Sequence, residues 1–210
     1  MRTPRGYSVA MGIDSSLLAS LPLWGLVGYL LGSIPFGLLL AAAQGINLRD
    51  VGSGNIGATN VLRTGRKDIA LATFLLDAGK GAVAVLLARH FAGEAAAQIA
   101  GVAAFAGHCF PVWLKFNGGK GVSTLLGVCF AAAPLIGVCA ALVWLLAAVL
   151  TRYSSAGGLA AAVVAPVAAV FLGAPGWALA FAVAAVLLWW RHADNLKRLA
   201  NGTESKIGAK

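Results

Sequence analysis

VSTLLGVCFAAAPLIGVCAALVWLLAAVL, residues 122–150, is the stretch on which the topology turns. It is long for one bilayer crossing and short for two of about 20 residues each. Pro134 stands in mid-run, where a turn fits. Charge decides between the readings. As two short helices, the stretch puts the polar loops at 44–67, 115–121 and 151–155 on one side with the tail 191–210. That side then holds twelve of the sixteen Lys and Arg residues, from Arg49, Arg63, Arg66 and Lys67 through Lys115, Lys120 and Arg152 to the tail. The other side holds Arg2, Arg5 and Arg89, while Lys80 falls inside a span. Lys and Arg collect in cytoplasmic loops. A single span would split the polar islands across the bilayer. The expectation is an all-α polytopic membrane protein with seven transmembrane helices. Its N-terminus lies outside, its C-terminus in the cytoplasm, and its polar re-entrant or loop motifs at the cytoplasmic face.

The rest of the composition agrees. Of 210 residues, 60% are hydrophobic and 11% are charged, far from soluble composition. One membrane domain over 1–210 is expected: a periplasmic segment at 1–16, a seven-helix core at 17–191 and a cytoplasmic tail at 192–210. The net charge of +9 fits loops facing anionic lipid, and no nucleic-acid partner is expected. Cys109, Cys129 and Cys139 lie in apolar stretches and read as free thiols. No His, Cys or carboxylate spacing suggests a metal site, and no cofactor is expected. The run from Leu17 lacks a cleavage site and reads as a retained span.

Around this frame sit polar islands. Residues 49–63, RDVGSGNIGATNVLR, hold Gly52, Gly54 and Gly57, which let backbone approach a ligand closely. They also hold Ser53, Asn55, Thr59 and Asn60 as hydrogen-bonding groups, flanked by Arg49 and Arg63. Amides beside guanidinium groups suit a phosphate. The second island, NGGKGVST at 117–124, presents Lys120 between Gly118, Gly119 and Gly121. A helix start follows, with Ser123 and Thr124. In FLLDAGKG, Asp77 and Lys80 are three apart inside an apolar run, so one helical face can pair them. His108 stands near the end of a span. His192 and Asn195 share a helical face beside Arg191 and Arg198.

Two look-alikes fail. Gly52–Gly57 spells G-x-G-x-x-G, but a dinucleotide site needs a preceding strand. The Lys120 loop has Leu114 and Gly121 where the nucleotide P-loop needs Gly and Ser or Thr. No His has Asp five positions on, which removes the His-x4-Asp signature of soluble-domain lysophospholipid acyltransferases.

Taken together, YLLGSIPFG at 29–37, VGSGNIGATNVLR, LLDAGKG, GHCFPVWLKFNGGKGVST and RHADNLKRLANGTE resemble, in this order, the acyl-phosphate:glycerol-3-phosphate acyltransferase family, PlsY. The match spans about residues 25–204. One departure is Gly158, where the family's third loop carries a hydroxyl; Ser155 fits. The resemblance implies transfer of a fatty acyl group from acyl phosphate to the sn-1 hydroxyl of glycerol 3-phosphate, giving lysophosphatidic acid and phosphate. It implies a catalytic set of Ser53, Arg63, Lys120, His192 and Asn195. Gly52, Gly54, Asn55, Gly57, Thr59, Asn60, Gly118, Gly119, Gly121, Ser123 and Thr124, with His108 and Ser155, would bind phosphate and substrate. Asp77, Lys80 and Glu204 would be structural. Arg63 and Lys120 are expected on glycerol 3-phosphate, and Ser53 with nearby amides on the acyl phosphate. The base is left among substrate phosphate, His192 and His108. A monomer in the bacterial inner membrane, functionally linked to an enzyme producing acyl phosphate, is expected. The alternative is an organophosphate transporter, which should show duplicated halves and broken mid-membrane helices.

Overall fold

The computed structural model describes residues 15–208. Most of the expected periplasmic segment, 1–16, lies outside them. The described residues form α-helices with two single 3-10 turns, and no strand is found among them. The helices are α1 (Ser15–Gly32), α2 (Phe36–Ala42), α3 (Ala58–Leu62), α4 (Lys67–Cys109), α5 (Val122–Ala132), α6 (Pro134–Thr151), α7 (Ser154–Phe171), α8 (Trp177–Arg191) and α9 (Ala193–Ala200). Four segments are long and apolar enough to cross a membrane: Ser20–Ala42, Lys67–Leu114, Pro134–Thr151 and Ser154–Phe171. α5 and α8 are apolar but shorter.

Helix breaks fall where the backbone can take them. The stretch 122–150 divides at Ala133, one residue before Pro134. Proline at the first helical position lacks only an N–H that would be unpaired there anyway. The carbonyls of Ala131 and Ala132, orphaned at the end of α5, accept from the Arg89 guanidinium at 2.5 and 3.2 Å. Arg89 also pairs with Glu94 at 2.8 Å, and Glu94 accepts the indole N–H of Trp177. In the chain, Arg89 and Glu94 stand on either side of Gly93, whose φ of 79° interrupts α4. The two apolar runs, 69–91 and 95–114, are two helical arms of α4 that meet at this glycine. The first run breaks too, between α1 and α2. There the Ile34 carbonyl accepts from the Lys80 ammonium at 2.8 Å.

Packing inverts the soluble pattern. The centre is lined by small residues: Ala84, Ala88, Ala96, Ala100 and Ala104 of α4, and Ala161, Ala162, Ala165 and Ala169 of α7. Large apolar side chains such as Leu150, Phe171 and Val186 point outward. Lipid is as apolar as leucine, so small residues that let backbones close up supply helix association instead. α1 shows this best. A side chain on Gly28 or Gly32 would collide with the backbone of Ala100 or Ala104.

Candidate active site

The polar loops meet at one end of the bundle, around a cavity of about 660 Å³. The first island is organised by Asn60, which is buried. Its Oδ1 accepts from the Ser53 amide (3.0 Å), the Ser53 hydroxyl (3.3 Å) and the Arg63 guanidinium (3.4 Å). Its Nδ2 donates toward the carbonyls of Leu48, Val51 and Asn55 at 2.8–3.1 Å. Asn60 thus lines the cavity with its own polar atoms engaged in shaping the loop. Asn55 does likewise, accepting the Gly57 amide at 3.0 Å. Gly52 takes a φ of +50°, and a Cβ there would lie 2.8 Å from Arg63 and Asn60. Gly54 stands behind the wall, its carbonyl accepting from Arg49 at 3.1 Å. Arg49 also donates to the Asn117 carbonyl at 2.5 Å and so joins the two islands. Ser53, Gly57, Thr59 and Arg63 line the cavity.

The glycine loop departs from expectation in one respect. The amides of Gly118 and Gly119 donate to the Cys109 and His108 carbonyls at 3.1 and 3.0 Å, capping the end of α4. Their carbonyls accept from Arg191 at 3.1 Å each. These amides are therefore spent, and the two residues lie behind the cavity wall. What they contribute is space, since a Cβ on Gly119 would land in the imidazole of His108. Gly121 lines the cavity with φ +84°, its face against the Phe105 ring. The first internal bond of α5 runs from the Leu125 amide to the Gly121 carbonyl, 2.7 Å. The amides of residues 122–124 precede it and have no acceptor within the helix. The amides offered to an anion thus sit one step later in the chain than the glycines suggest. Ser123 faces the cavity, while Thr124 is buried against Gly81 of α4.

Three further elements close the site. Lys120 donates to Asn195 Oδ1, and Asn195 Nδ2 donates to Glu204 at 2.5 Å. Glu204 also accepts from Ser155 (2.8 Å) and Arg198 (2.7 Å). One carboxylate thereby links the start of α7, both ends of the α9 region and the glycine loop. Burial would raise the Glu204 pKa, but the hydrogen bonds from Asn195, Ser155 and Arg198 outweigh it and hold the carboxyl below its ordinary value. Burial, then the nearby Arg198 charge, pushes the Lys120 ammonium down to about 8. Burial likewise pushes His192 down to about 4. The Nδ1 of His192 lies 2.8 Å from the Leu188 carbonyl. That contact requires the proton on Nδ1 and leaves the Nε2 lone pair free. A side chain at Gly158 would sit 2.7 Å from Val122 and 3.7 Å from His192 Nε2. Gly158 therefore leaves the approach to that nitrogen open.

Asp77 and His108 lie deeper. Asp77 pairs with Lys80 at 2.7 Å and lies 3.6 Å from His108 Nδ1, all three buried. Asp77 and His108 reach the cavity wall; Lys80 does not. The wall also includes residues the motifs did not single out. Lys67 and Lys206 add cations, and Ala70, Leu71, Phe74 and Trp144 add an apolar flank. Lys67 stands four residues after Arg63, across the turn that joins α3 to α4, and that nearness in the chain marks it. Nothing local marks Phe74 or Trp144 among the many apolar residues of their helices.

Five cations line the cavity: Arg63, Lys67, Lys120, Arg198 and Lys206. The two carboxylates there, Asp77 and Glu204, are already paired. Such a site can hold anionic groups at one end and an apolar chain at the other.

A family model described as "Glycerol-3-phosphate acyltransferase" matches residues 22–202. A glycerol-3-phosphate acyltransferase of Roseobacter denitrificans is 56% identical over 196 residues, covering 93% of this chain and 98% of its own. One from Ruegeria is 58% identical with the same coverage, and one from Agrobacterium fabrum is 53% identical over 91% and 94%. The crystal structure of PlsY, an integral membrane glycerol 3-phosphate acyltransferase, in its glycerol 3-phosphate form superposes with a TM-score of 0.86. It is 38% identical and covers 90% of this chain and 96% of that one. The lysophosphatidic acid form gives 0.84 at 36% identity, with the same coverage. The organophosphate-transporter alternative finds no support among these relatives. With the motifs in family order and the match running nearly end to end, the chain belongs to the glycerol-3-phosphate acyltransferase family.

Proposed function

We propose that this protein transfers a fatty acyl group from an acyl phosphate to the sn-1 hydroxyl of glycerol 3-phosphate. The products are lysophosphatidic acid and inorganic phosphate, as in the first acylation of bacterial phospholipid synthesis. The observation that carries this reading is a single cavity that joins five cations to an apolar flank. Two phosphate-bearing reactants need the first, and the acyl chain needs the second.

An acyl phosphate is already activated, so the protein's task is to hold two anions together and offset their repulsion. Arg63 and Lys120 hold the phosphate of glycerol 3-phosphate. Ser53 and the first-turn amides of α5 hold that of the acyl phosphate. The acceptor hydroxyl oxygen bonds to the acyl carbon. The bond from that carbon to the bridging oxygen breaks, and phosphate leaves with the electron pair. The hydroxyl proton passes to His192 Nε2, the free lone pair described above. Asn195 and Glu204 set the direction of Lys120. Orientation of this kind is worth about 7–11 kcal/mol of barrier.

The same reading extends to topology. α1 with α2, the two arms of α4, and α5 to α8 make seven crossings of one membrane domain. The cavity end faces the cytoplasm, where Lys and Arg collect. The protein works as a monomer in the inner membrane, supplied by a reaction that makes acyl phosphate. The test is a titration of glycerol 3-phosphate with Arg63→Ala and Lys120→Ala. Each should raise the apparent KM by about tenfold or more, since a hydrogen bond to a charged group is worth ~1.5–3 kcal/mol. Unchanged KM in both variants sinks the assignment.

A further inference from the structure

We propose that residues 205–208 are a strap across the polar mouth of the cavity, which favours glycerol 3-phosphate over water as acyl acceptor. The proposal rests on the function given above. The family match ends at residue 202, just ahead of the strap. After α9, Gly202 takes a φ of +69° and reverses the chain. The Thr203 amide closes the turn on the Arg198 carbonyl at 2.8 Å. Glu204 then points inward to its three partners, and residues 205–208 form part of the cavity wall.

Two loops pin the strap. Arg63 donates to the Ser205 hydroxyl at 2.5 Å. The Ile207 amide donates to the Arg152 carbonyl at 2.7 Å, and the Arg152 guanidinium donates back to the Ile207 carbonyl at 3.3 Å. Beside them, the hydroxyls of Thr59 and Ser154 meet at 3.0 Å. Ser205 and Lys206 are exposed and Ile207 is half-buried. The strap is thus held by a few polar contacts over little buried surface, as a gate that opens and recloses must be. Arg63 gives up a neutral hydroxyl when a phosphate arrives, so acceptor binding replaces the contact it breaks.

Exclusion of water matters because the donor is reactive without help. A water oxygen can bond to the acyl carbon. The bond to the bridging oxygen then breaks, phosphate departs with the electron pair, and the water proton passes to solvent. The result is free fatty acid and no lysophosphatidic acid. A closed mouth suppresses that side reaction.

The experiment measures lysophosphatidic acid formed per phosphate released, with palmitoyl phosphate and glycerol 3-phosphate in lipid-containing micelles. The full chain is compared with a deletion of residues 205–210 and with Ile207→Pro. The proline removes the amide that holds Arg152 and keeps the rest of the tail in place. The full chain should give a ratio near one, and the deletion roughly half or less, with fatty acid making up the difference. Ile207→Pro should fall between them, and it alone decides if the deletion does not fold. Ratios equal to that of the full chain overturn the strap while leaving the transferase reading intact. No lysophosphatidic acid from the full chain overturns both.

Discussion

Lys120, in the loop before α5, donates to the side-chain oxygen of Asn195 on α9, 75 residues along the chain. The two are joined at the back by Glu204, which accepts from Asn195 and fixes its amide. The cation that faces the cavity is therefore aimed by Asn195, whose own orientation Glu204 fixes.

Glu204→Ala should cost both stability and activity. Asn195 and Ser155, both buried, would lose their acceptor, each loss being worth about 1–3 kcal/mol. Arg198 is 37% exposed, so its share is small. A lower Tm in detergent, with a disproportionate rise in KM for glycerol 3-phosphate, is the expected pattern. The carboxyl's folded pKa lies below its ordinary 4.5. Its stabilising effect is therefore complete above that value and fades as pH falls through the lower, folded one. Tm against pH should show an acid loss in the native chain that is smaller in Glu204→Gln.

Activity should decline on the alkaline side near pH 8. In the free protein Lys120 holds its proton with a pKa of about 8. Below this the ammonium is charged and attracts phosphate; above it the charge is lost. The limb should appear in kcat/KM, which reports the free enzyme. Lys120→Arg keeps its charge far beyond this range. It should remove the limb even though its geometry lowers the absolute rate. An unchanged limb in that variant would assign it to another group.

His192→Asn should lower kcat by about 100-fold or more while leaving KM for glycerol 3-phosphate within a few-fold. His108→Asn should instead disturb folding, because the imidazole packs against Gly119 and near Asp77. A normal kcat in His192→Asn would return the proton to the substrate's own phosphate.

The sequence carried the coarse features well, and the reasons are physical. Pro134 placed the break in 122–150 because proline belongs at a helix start, and the structure breaks there. His192 and Asn195 share a face because they lie three apart on a helical turn, and both line the cavity. Amide allocation was not legible. Which N–H groups of the glycine loop are free depends on the end of α4, whose carbonyls claim Gly118 and Gly119. Nor was the tail legible. Its role comes from contacts with Arg63 and Arg152, residues 142 and 55 positions away. The apolar flank was hidden for a different cause. Phe74 and Trp144 look like any other lipid-facing side chain until tertiary packing turns them inward.

The donor is the most direct point of attack. Purified protein is mixed with glycerol 3-phosphate and either palmitoyl phosphate or palmitoyl coenzyme A, and lysophosphatidic acid is quantified. Product from palmitoyl phosphate alone, absent in Arg63→Ala with Lys120→Ala, is the result the cationic cavity predicts. Product from the thioester alone, or undiminished synthesis in the double variant, would contradict it.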